Sequence, residues 1–324
     1  MKHNIWISRS VIGLALALAA SAGDAQSFPA KPITLIVPFA PGGNLDVVAR
    51  TLAPALERAL GQAVVVDNKA GAGGALGAAL VARAPADGHT LLVSTPNAIV
   101  VLPQMTKTSY KLKNFQSVGF AATTALVVVV KGSDSRFKDI AALMDFIRTN
   151  PGKTSMGHAG LGTTNHVALM QFEEAARVKL NIIPYKGGAP ALVDLIGGQV
   201  DAVLDQLSSS APHIQTGALR ALAVLSRERD PALPNVPTLR EAGLADFDAS
   251  TAAGLLAPAG TSVAIIETLN AALRKALAEE AVRTRLAVVG SVARPSSAQE
   301  FGQLLAQEDN RAQALAKAGK LKAD

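Results

Sequence analysis

Apolar residues recur along the chain in short runs, and each run is followed by a glycine-rich turn and an amphipathic stretch. Residues 33–37 form the first apolar run, and residues 38–43 form the turn. Residues 46–60 then place their apolar side chains on one helical face, and Gly61 ends that helix. The repetition of strand, turn and helix predicts an α/β protein with a largely parallel sheet. The length suggests two domains.

The same pattern continues to the C-terminus. Further strands are predicted at residues 64–66, 91–93, 127–130, 182–183, 200–204 and 221–225. Helices are predicted from the turn at 71–74 to near Arg83, at 140–147, from Thr163 or Thr164 to near Ala176, and at 190–196. Two long helices complete the chain, one starting near residue 261 and one opened by the capping box of Ser297 and Glu300.

The N-terminus has the layout of an export signal. Lys2 and Arg9 form a basic region, residues 11–22 are apolar, and residues 23–25 form a small-x-small cleavage site. The apolar stretch is too short for a permanent membrane span. Residues 1–25 are therefore predicted to be a signal peptide, cut after Ala25, and the mature protein to be exported and soluble.

Composition removes several classes of function. The chain has no cysteine, which excludes disulfides, thiolate metal sites, a cysteine nucleophile and a lipoprotein anchor. Its net charge of +6 is spread along the sequence, and only 4% of its residues are aromatic. Nucleic-acid binding calls for a basic stripe with interleaved aromatic residues. We therefore expect no nucleic-acid partner.

The turn after the first strand has the chemistry of an anion site. Pro41 breaks the strand, and Gly42 and Gly43 leave free backbone N–H groups at the start of the next helix. These donors and the helix dipole favour an anion. Residues 38–46 contain no lysine or arginine, so neutral dipoles would hold it, which favours reversible capture of a carboxylate. The alternative is a plain strand-to-helix turn without a ligand.

Four turns are predicted at the edge of the sheet where α/β proteins bind ligands, outside the carboxyl ends of the strands. They are residues 41–46, 71–74, 94–97 and 157–166. If residues 127–249 form a lobe of their own, the first three turns face the fourth across a cleft. Two helix N-termini directed at one crevice would suit a small anion.

A series of motifs then identifies a family. They are Pro38-Phe39-x-Pro41-Gly42-Gly43-x-x-Asp46-x-x-Ala49-Arg50, Gly71-Ala72-Gly73-Gly74, Pro85-x-Asp87-Gly88-x-Thr90-Leu91, Gly160-x-Gly162-Thr163-x-x-His166, Pro184-Tyr185-Lys186-Gly187, Leu233-Pro234-x-Val236-Pro237-Thr238 and Ala257-Pro258-Ala259-Gly260-Thr261. Over essentially the whole mature chain, the sequence resembles the substrate-binding proteins of tripartite tricarboxylate transporters, the Bug family of bacterial periplasmic receptors.

The resemblance implies a two-lobed periplasmic-binding-protein fold of the Venus-flytrap, type II-like class, with two crossovers. Lobe 1 would comprise residues 26–126 and 250–324, and lobe 2 residues 127–249. The implied function is capture of a small carboxylate, an organic acid or acidic amino acid, in the cleft between the lobes. The receptor would act in the periplasm as a monomer without cofactor or metal, and deliver its ligand to inner-membrane transporter subunits.

In the family, backbone N–H groups and small hydroxyl side chains bind the carboxylate, often through water. The residues predicted to contact ligand are Phe39, Gly42, Gly43, Asn44, Asp46, Ala72, Gly73, Thr95, Asn97, Ala159, Gly160, Gly162, Thr163, Thr164, His166 and Asp205. Two departures from the family pattern bear on which acid fits. His158 replaces a serine before the Gly-x-Gly turn, and residues 250–254 lack an aromatic residue on the returning crossover.

Several of these residues have two readings. Asp46 either contacts ligand or stabilises the helix start and pairs with Arg50. Asp205 either meets a ligand amino group or caps the following segment. His158 and His166 suggest a metal site, but without a third convergent ligand a polar wall is the better interpretation. Lys186 is either a cationic clamp or solvated.

Two other classes of function, an enzyme and a sensor, are alternatives to a transport receptor. The glycines Gly71, Gly73 and Gly77 hint at a dinucleotide fingerprint, but the spacing is off, and Ser94 stands where an acidic residue would bind the ribose. No nucleophile elbow, P-loop or His-Glu-x-x-His motif occurs, so we expect no enzyme. A sensor that presents its carboxylate-bound state to a signalling partner fits the sequence as well as a transport receptor does.

Overall fold

The computed structural model describes residues 28–244 and 248–321, and the predicted signal peptide lies outside that range. The described strands are β1 (Ile33–Val37), β2 (Val64–Asn68), β3 (Thr90–Ser94), β4 (Phe115–Lys131), β5 (Ser155–His158), β6 (Asn181–Pro184), β7 (Ala202–Gln206), β8 (Leu219–Val224), β9 (Ser250–Pro258) and β10 (Ser291–Ala293). The described α-helices are α1 (Asn44–Leu60), α2 (Ala75–Ala82), α3 (Leu102–Met105), α4 (Ile140–Thr149), α5 (Thr164–Ala176), α6 (Gly188–Gly197), α7 (Leu207–Gln215), α8 (Val263–Ala278), α9 (Glu280–Val288) and α10 (Ala298–Lys317).

The strands follow the order β2-β1-β3-β9-β4-β7-β5-β6, and β8 and β10 also pair with β4. Strand β1 pairs in parallel with β2 and β3, and β5 pairs in parallel with β6 and β7. Between these two parallel groups, β9 and β4 run antiparallel to their neighbours. Each parallel group therefore has its own carboxyl-terminal edge, the place where α/β sheets bind ligands.

Strand β4 connects the two halves of the sheet. Its first part pairs with β9 and β10, and from Leu126 onward it pairs with β7 and β8. The sequence predicted only residues 127–130 of this strand, because Thr123 and Thr124 interrupt the apolar run. The Thr124 side chain is nevertheless buried and hydrogen-bonded, so the strand continues through it.

The buried apolar side chains divide along the same line. They form two pairs of clusters, one pair drawn from residues 33–122 and 253–312 and the other from residues 126–249. Within each pair the clusters lie on opposite faces of the sheet, because successive side chains of a strand alternate. Leu35 and Ile36 belong to different clusters of the first pair, and Val128 and Val129 to different clusters of the second.

Local signals set several helix starts. Thr163 is the N-cap of α5, and its hydroxyl accepts a hydrogen bond from the backbone of His166. The capping box predicted at Ser297 and Glu300 is present at the start of α10. The two long C-terminal helices predicted from the sequence are separated by a third, α9. Among the helices that the structure describes, none is long and apolar enough to cross a membrane.

Candidate functional site

A cavity lies between the two parallel groups of strands. Its volume is about 30 Å³, which is room for about two water molecules. The lining residues, all of them uncharged, are Phe39, Gly43, Asn44, Leu45, Thr95, Ala159, Thr163, Thr164, Asn165, Gly188 and Gln206. Seven of these were among the sequence-predicted residues: Phe39, Gly43, Asn44, Thr95, Ala159, Thr163 and Thr164.

Four helices begin at this cavity. Gly43 is the N-cap of α1, Thr163 of α5 and Gln206 of α7, and Gly188 is the first residue of α6. Helices α1, α6 and α7 have no side-chain cap, so N–H groups of their first turns are available to a ligand. The positive ends of four helix dipoles meet here. This arrangement of neutral groups favours an anion in the cavity.

Asn44 lines the cavity and carries an unpaired side-chain donor. The residue is buried, and its Oδ1 accepts hydrogen bonds from the hydroxyls of Thr124 at 3.0 Å and Ser208 at 2.7 Å. Its Nδ2 is buried without a hydrogen-bond partner. An unpaired buried donor is costly, and an oxygen of a bound anion would satisfy it.

Asn165 and Gln206 also line the cavity, and their side-chain amides are hydrogen-bonded to each other. Gln206 Nε2 donates to Asn165 Oδ1 at 2.8 Å and to the Thr251 hydroxyl at 3.2 Å. Asn165 Nδ2 donates to the carbonyl of Leu204 at 2.9 Å. Sequence reasoning missed both lining residues, although Asn165 lies within the motif that runs from Gly160 to His166.

The two sides of the cavity touch, so this is a closed form of the protein. The N–H of Ala40 donates to the carbonyl of Lys186 at 3.2 Å, and the Thr164 hydroxyl donates to Asn97 Oδ1 at 3.4 Å. Small-molecule sites usually measure roughly 300–1,000 Å³. A ligand larger than about two waters therefore requires the sides to separate.

Comparison with known proteins identifies the type of molecule. Residues 48–321 match the model of the tripartite tricarboxylate transporter family receptor. The chain belongs to this receptor family. The periplasmic binding protein BugD has 34% sequence identity and a TM-score of 0.85, with 91% of this chain and all of BugD covered.

Two further solved structures of similar proteins contain carboxylates. MatC from Rhodopseudomonas palustris, solved with malate, has 33% identity and a TM-score of 0.83, and the match covers 89% of this chain and 100% of MatC. R. palustris Rpa4515, solved with adipate, has 31% identity and a TM-score of 0.85 over 91% of this chain and 100% of that one. By its family and its likeness to BugD, the protein is a periplasmic solute-binding receptor with an α/β periplasmic-binding-protein fold rather than an enzyme.

In this receptor, Asp46 holds the first turn together instead of lining the cavity. Its carboxylate accepts hydrogen bonds from the N–H of Gly42 at 2.9 Å and from Asn68 Nδ2 at 2.9 Å. It also forms an ion pair with Arg50 at 2.9 Å. Gly42 has a φ of 82°, a left-handed conformation that favours glycine. The N–H of Gly42 is therefore occupied by the protein, while Gly43 reaches the cavity.

The turn at 71–74 packs against the turn at 160–162. Gly73 has a φ of 62°, and a Cβ there would collide with the carbonyl of Leu161. A Cβ on Gly160 would lie 3.5 Å from the Cα of Gly73. Ala72, Gly73, Gly160 and Gly162 are absent from the cavity lining. The three glycines, Gly73, Gly160 and Gly162, let the two sides approach closely, because a Cβ on any of them would meet the other side.

Two buried histidines, His158 and His166, hold the turn at 160–162 through hydrogen bonds to its backbone. The rings of His158 and His166 stack with centroids 4.8 Å apart. His158 Nδ1 accepts from the N–H of Gly160 at 3.2 Å, and His166 Nδ1 accepts from the N–H of Gly162 at 3.3 Å. Burial, with the charge of His166 next in size, lowers the pKa of His158 to about 3, so its ring is neutral and can accept.

Asp205 is fully buried behind the cavity wall. Its Oδ2 accepts hydrogen bonds from the hydroxyls of Ser209 and Ser210, and its Oδ1 has no partner. A Cβ on Gly188 would collide with that Oδ1. Burial raises the pKa of Asp205 to about 6. The carboxylate thus lies beyond Gly188 and is not part of the cavity lining.

The histidines and carboxylates do not assemble into a metal centre. Within residues 28–244 and 248–321, no group of three or more metal-ligating side chains is close enough to hold an ion. Lys186 meets the opposite side through its backbone carbonyl. No lysine or arginine lines the cavity.

Proposed function

We propose that this receptor captures a small carboxylate in the cavity and delivers it to tripartite tricarboxylate-type transporter subunits in the inner membrane. The observation that carries the proposal is the meeting of four helix N-termini at one uncharged cavity. Such a site binds an anion through dipoles and N–H groups. The malate in MatC and the adipate in Rpa4515 support a carboxylate as that anion.

The absence of a cation among the lining residues fits a receptor that must release its ligand. An arginine paired with the carboxylate would add a strong bidentate interaction and slow release. Neutral donors and bridging water hold the anion with less energy per contact. The site is therefore suited to binding that is both selective and reversible.

Capture requires the cavity to open and close. We assign lobe 1 to residues 26–126 and 250–324 and lobe 2 to residues 127–249, with the acid held between them. A ligand that contacts both lobes is bound best when they close around it, so it shifts the population from an open form toward a ligand-filled form that is less tightly closed than this structure. The receptor would act as a monomer after removal of residues 1–25, and N-terminal sequencing of the periplasmic form should begin at Gln26.

A thermal-shift panel tests the ligand class. Malate, adipate, citrate, glutamate and benzoate would be compared with malamide and adipamide, the neutral amides of two of the acids. An acid at 100 times its dissociation constant adds about 2.7 kcal/mol to the free energy of unfolding. We expect at least one acid to stabilise the protein and its amide to do so far less. Equal stabilisation by acid and amide, or by no acid, would contradict the proposal.

A further inference from the structure

The Asn44 amide is oriented by hydroxyls outside the cavity. Its Oδ1 accepts one hydrogen bond from Thr124 on β4 and one from Ser208 in the first turn of α7. An amide oxygen has two lone pairs, so these two bonds use its full accepting capacity. The same pair of bonds turns the Nδ2 group away from the hydroxyls.

A third hydroxyl extends this chain of hydrogen bonds. Ser291 on β10 lies 2.7 Å from the Thr124 hydroxyl. When Thr124 donates its proton to Asn44, its oxygen is free to accept from Ser291. Asn44, Thr124, Ser208 and Ser291 are all at most 5% exposed, so water does not compete for these bonds. A closed, fully buried chain of this kind favours one orientation of the amide.

The orientation decides which chemical group the cavity accepts. With Oδ1 held by the hydroxyls, the unpartnered Nδ2 is left for an acceptor such as a carboxylate oxygen. With the amide reversed, Oδ1 would meet the anion and repel it. We propose that Ser208 and Thr124 are positioning residues that fix the Asn44 amide so that its Nδ2 donates to the ligand carboxylate. This inference rests on the proposed function, because it names how that site recognises its acid.

The arrangement also joins ligand recognition to the closed form. Thr124 lies on the strand that runs through both halves of the sheet, and Ser208 lies on α7, which packs with the second half. Asn44 opens α1, which packs with the first half. The bond between Asn44 and Ser208 therefore spans the two groups of clusters, and the donor is in place when that bond forms.

Affinity measurements test the positioning role. Calorimetric titrations with malate and with adipate would compare wild type with Asn44→Ala, Ser208→Ala, Ser208→Thr and the double variant. Loss of one positioning hydrogen bond should weaken binding about 3- to 10-fold in Ser208→Ala, and Ser208→Thr should restore it. In the Asn44→Ala background the Ser208 substitution should have no further effect, because the group it positions is gone. Ser210→Ala, a buried hydroxyl on the same helix bonded to Asp205, is the matched control and should bind as wild type does.

An NMR measurement needs no ligand. In ¹⁵N-labelled protein, the Asn44 side-chain amide is assigned as the pair of signals missing from Asn44→Asp. We expect one sharp pair in wild type and in Ser210→Ala, and a broadened or doubled pair in Ser208→Ala. An unchanged pair in Ser208→Ala, or additive effects of Asn44→Ala and Ser208→Ala on affinity, would overturn the inference. If wild type binds no acid of the panel, the proposed function fails, and the NMR result still decides the orientation.

Discussion

The carboxylate of Asp205 lies directly against the backbone of Gly188, and the Oδ1 of that carboxylate has no hydrogen-bond donor. Gly188 is the first residue of α6 and lines the cavity. A buried acid therefore lies next to a residue that lines the cavity. The burial of the Asp205 carboxylate affects the pH dependence of stability, and its contact with Gly188 limits the side chain allowed at position 188.

The pH dependence follows from the raised pKa of Asp205. Burial raises that pKa to about 6, above the ordinary 3.8, so the native state binds the proton more tightly than the unfolded state. The stability contributed by Asp205 is therefore fully present below pH 3.8 and is lost as pH rises through 6. Asp205→Asn removes this loss, which at about 1.4 kcal/mol per pKa unit amounts to about 3 kcal/mol at most.

Denaturant unfolding of wild type and Asp205→Asn at pH 4.5 and pH 7.5 measures the effect. The difference in unfolding free energy, variant minus wild type, should become more positive at pH 7.5. A difference that stays constant across this range would show that Asp205 does not titrate there. Affinity for glutamate, the acid of the panel that carries an amino group, provides a second readout. A large loss of that affinity in Asp205→Asn would indicate that Asp205 meets an amino group of the ligand.

The packing consequence concerns Gly188→Ala. The added Cβ would collide with Asp205 Oδ1, and α6 would have to move away from β7, the strand that carries Asp205. We expect a loss of about 1–3 kcal/mol in stability, and weaker acid binding because the cavity wall shifts. Gly197→Ala, at the end of the same helix, is the control, since its Cβ meets only Gln199 at 3.9 Å. Comparable stability of the two variants in chemical unfolding would contradict the contact.

The turns at 42–43 and at Thr163 were predictable because their signals are local. Gly42 and Gly43 follow a strand and precede a helix, and Thr163 carries its own capping signal. Gly188 and Gln206 could not be found in this way. They reach the cavity only because α6 and α7 both start at the edge of the second parallel group. That placement depends on strand order, which one sequence does not contain.

The length of β4 was missed for a related reason. The polar pair Thr123 and Thr124 ends an apolar run, and apolarity is the signal for a buried strand. Thr124 is buried because Asn44, about 80 residues earlier in the chain, accepts its hydrogen bond. A polar residue whose partner is so distant in sequence resembles a surface residue until the fold is known.

Acid sensitivity should trace to His158. Burial lowers its pKa to about 3, so its contribution to stability is present above pH 6.5 and is lost as pH falls toward 3. His158→Asn keeps an acceptor for the N–H of Gly160 without titrating. We expect wild type to lose stability faster than this variant between pH 6.5 and pH 4. Parallel losses in chemical unfolding would remove His158 as the cause.

Two substitutions of Asp46 distinguish a structural role from a contact with the ligand. Asp46→Asn keeps an acceptor for Gly42 but loses the ion pair with Arg50, whereas Asp46→Ala loses every hydrogen bond of the carboxylate. Removal of these bonds should lower the free energy of unfolding of Asp46→Ala by about 1–3 kcal/mol. Asp46→Asn should retain most of the stability, and most of the affinity for malate or adipate. Full stability with no binding in Asp46→Asn would instead indicate direct contact with the ligand.

The most direct test is a crystal structure of the receptor grown with the acid that stabilises it most in the thermal-shift panel. We expect one carboxylate in the cavity, with an oxygen about 2.7–3.1 Å from Asn44 Nδ2 or from an N–H group of the first turn of α1, α6 or α7. No lysine or arginine should contact that carboxylate. An acid bound elsewhere, or held in the cleft by a cationic side chain, would contradict the account.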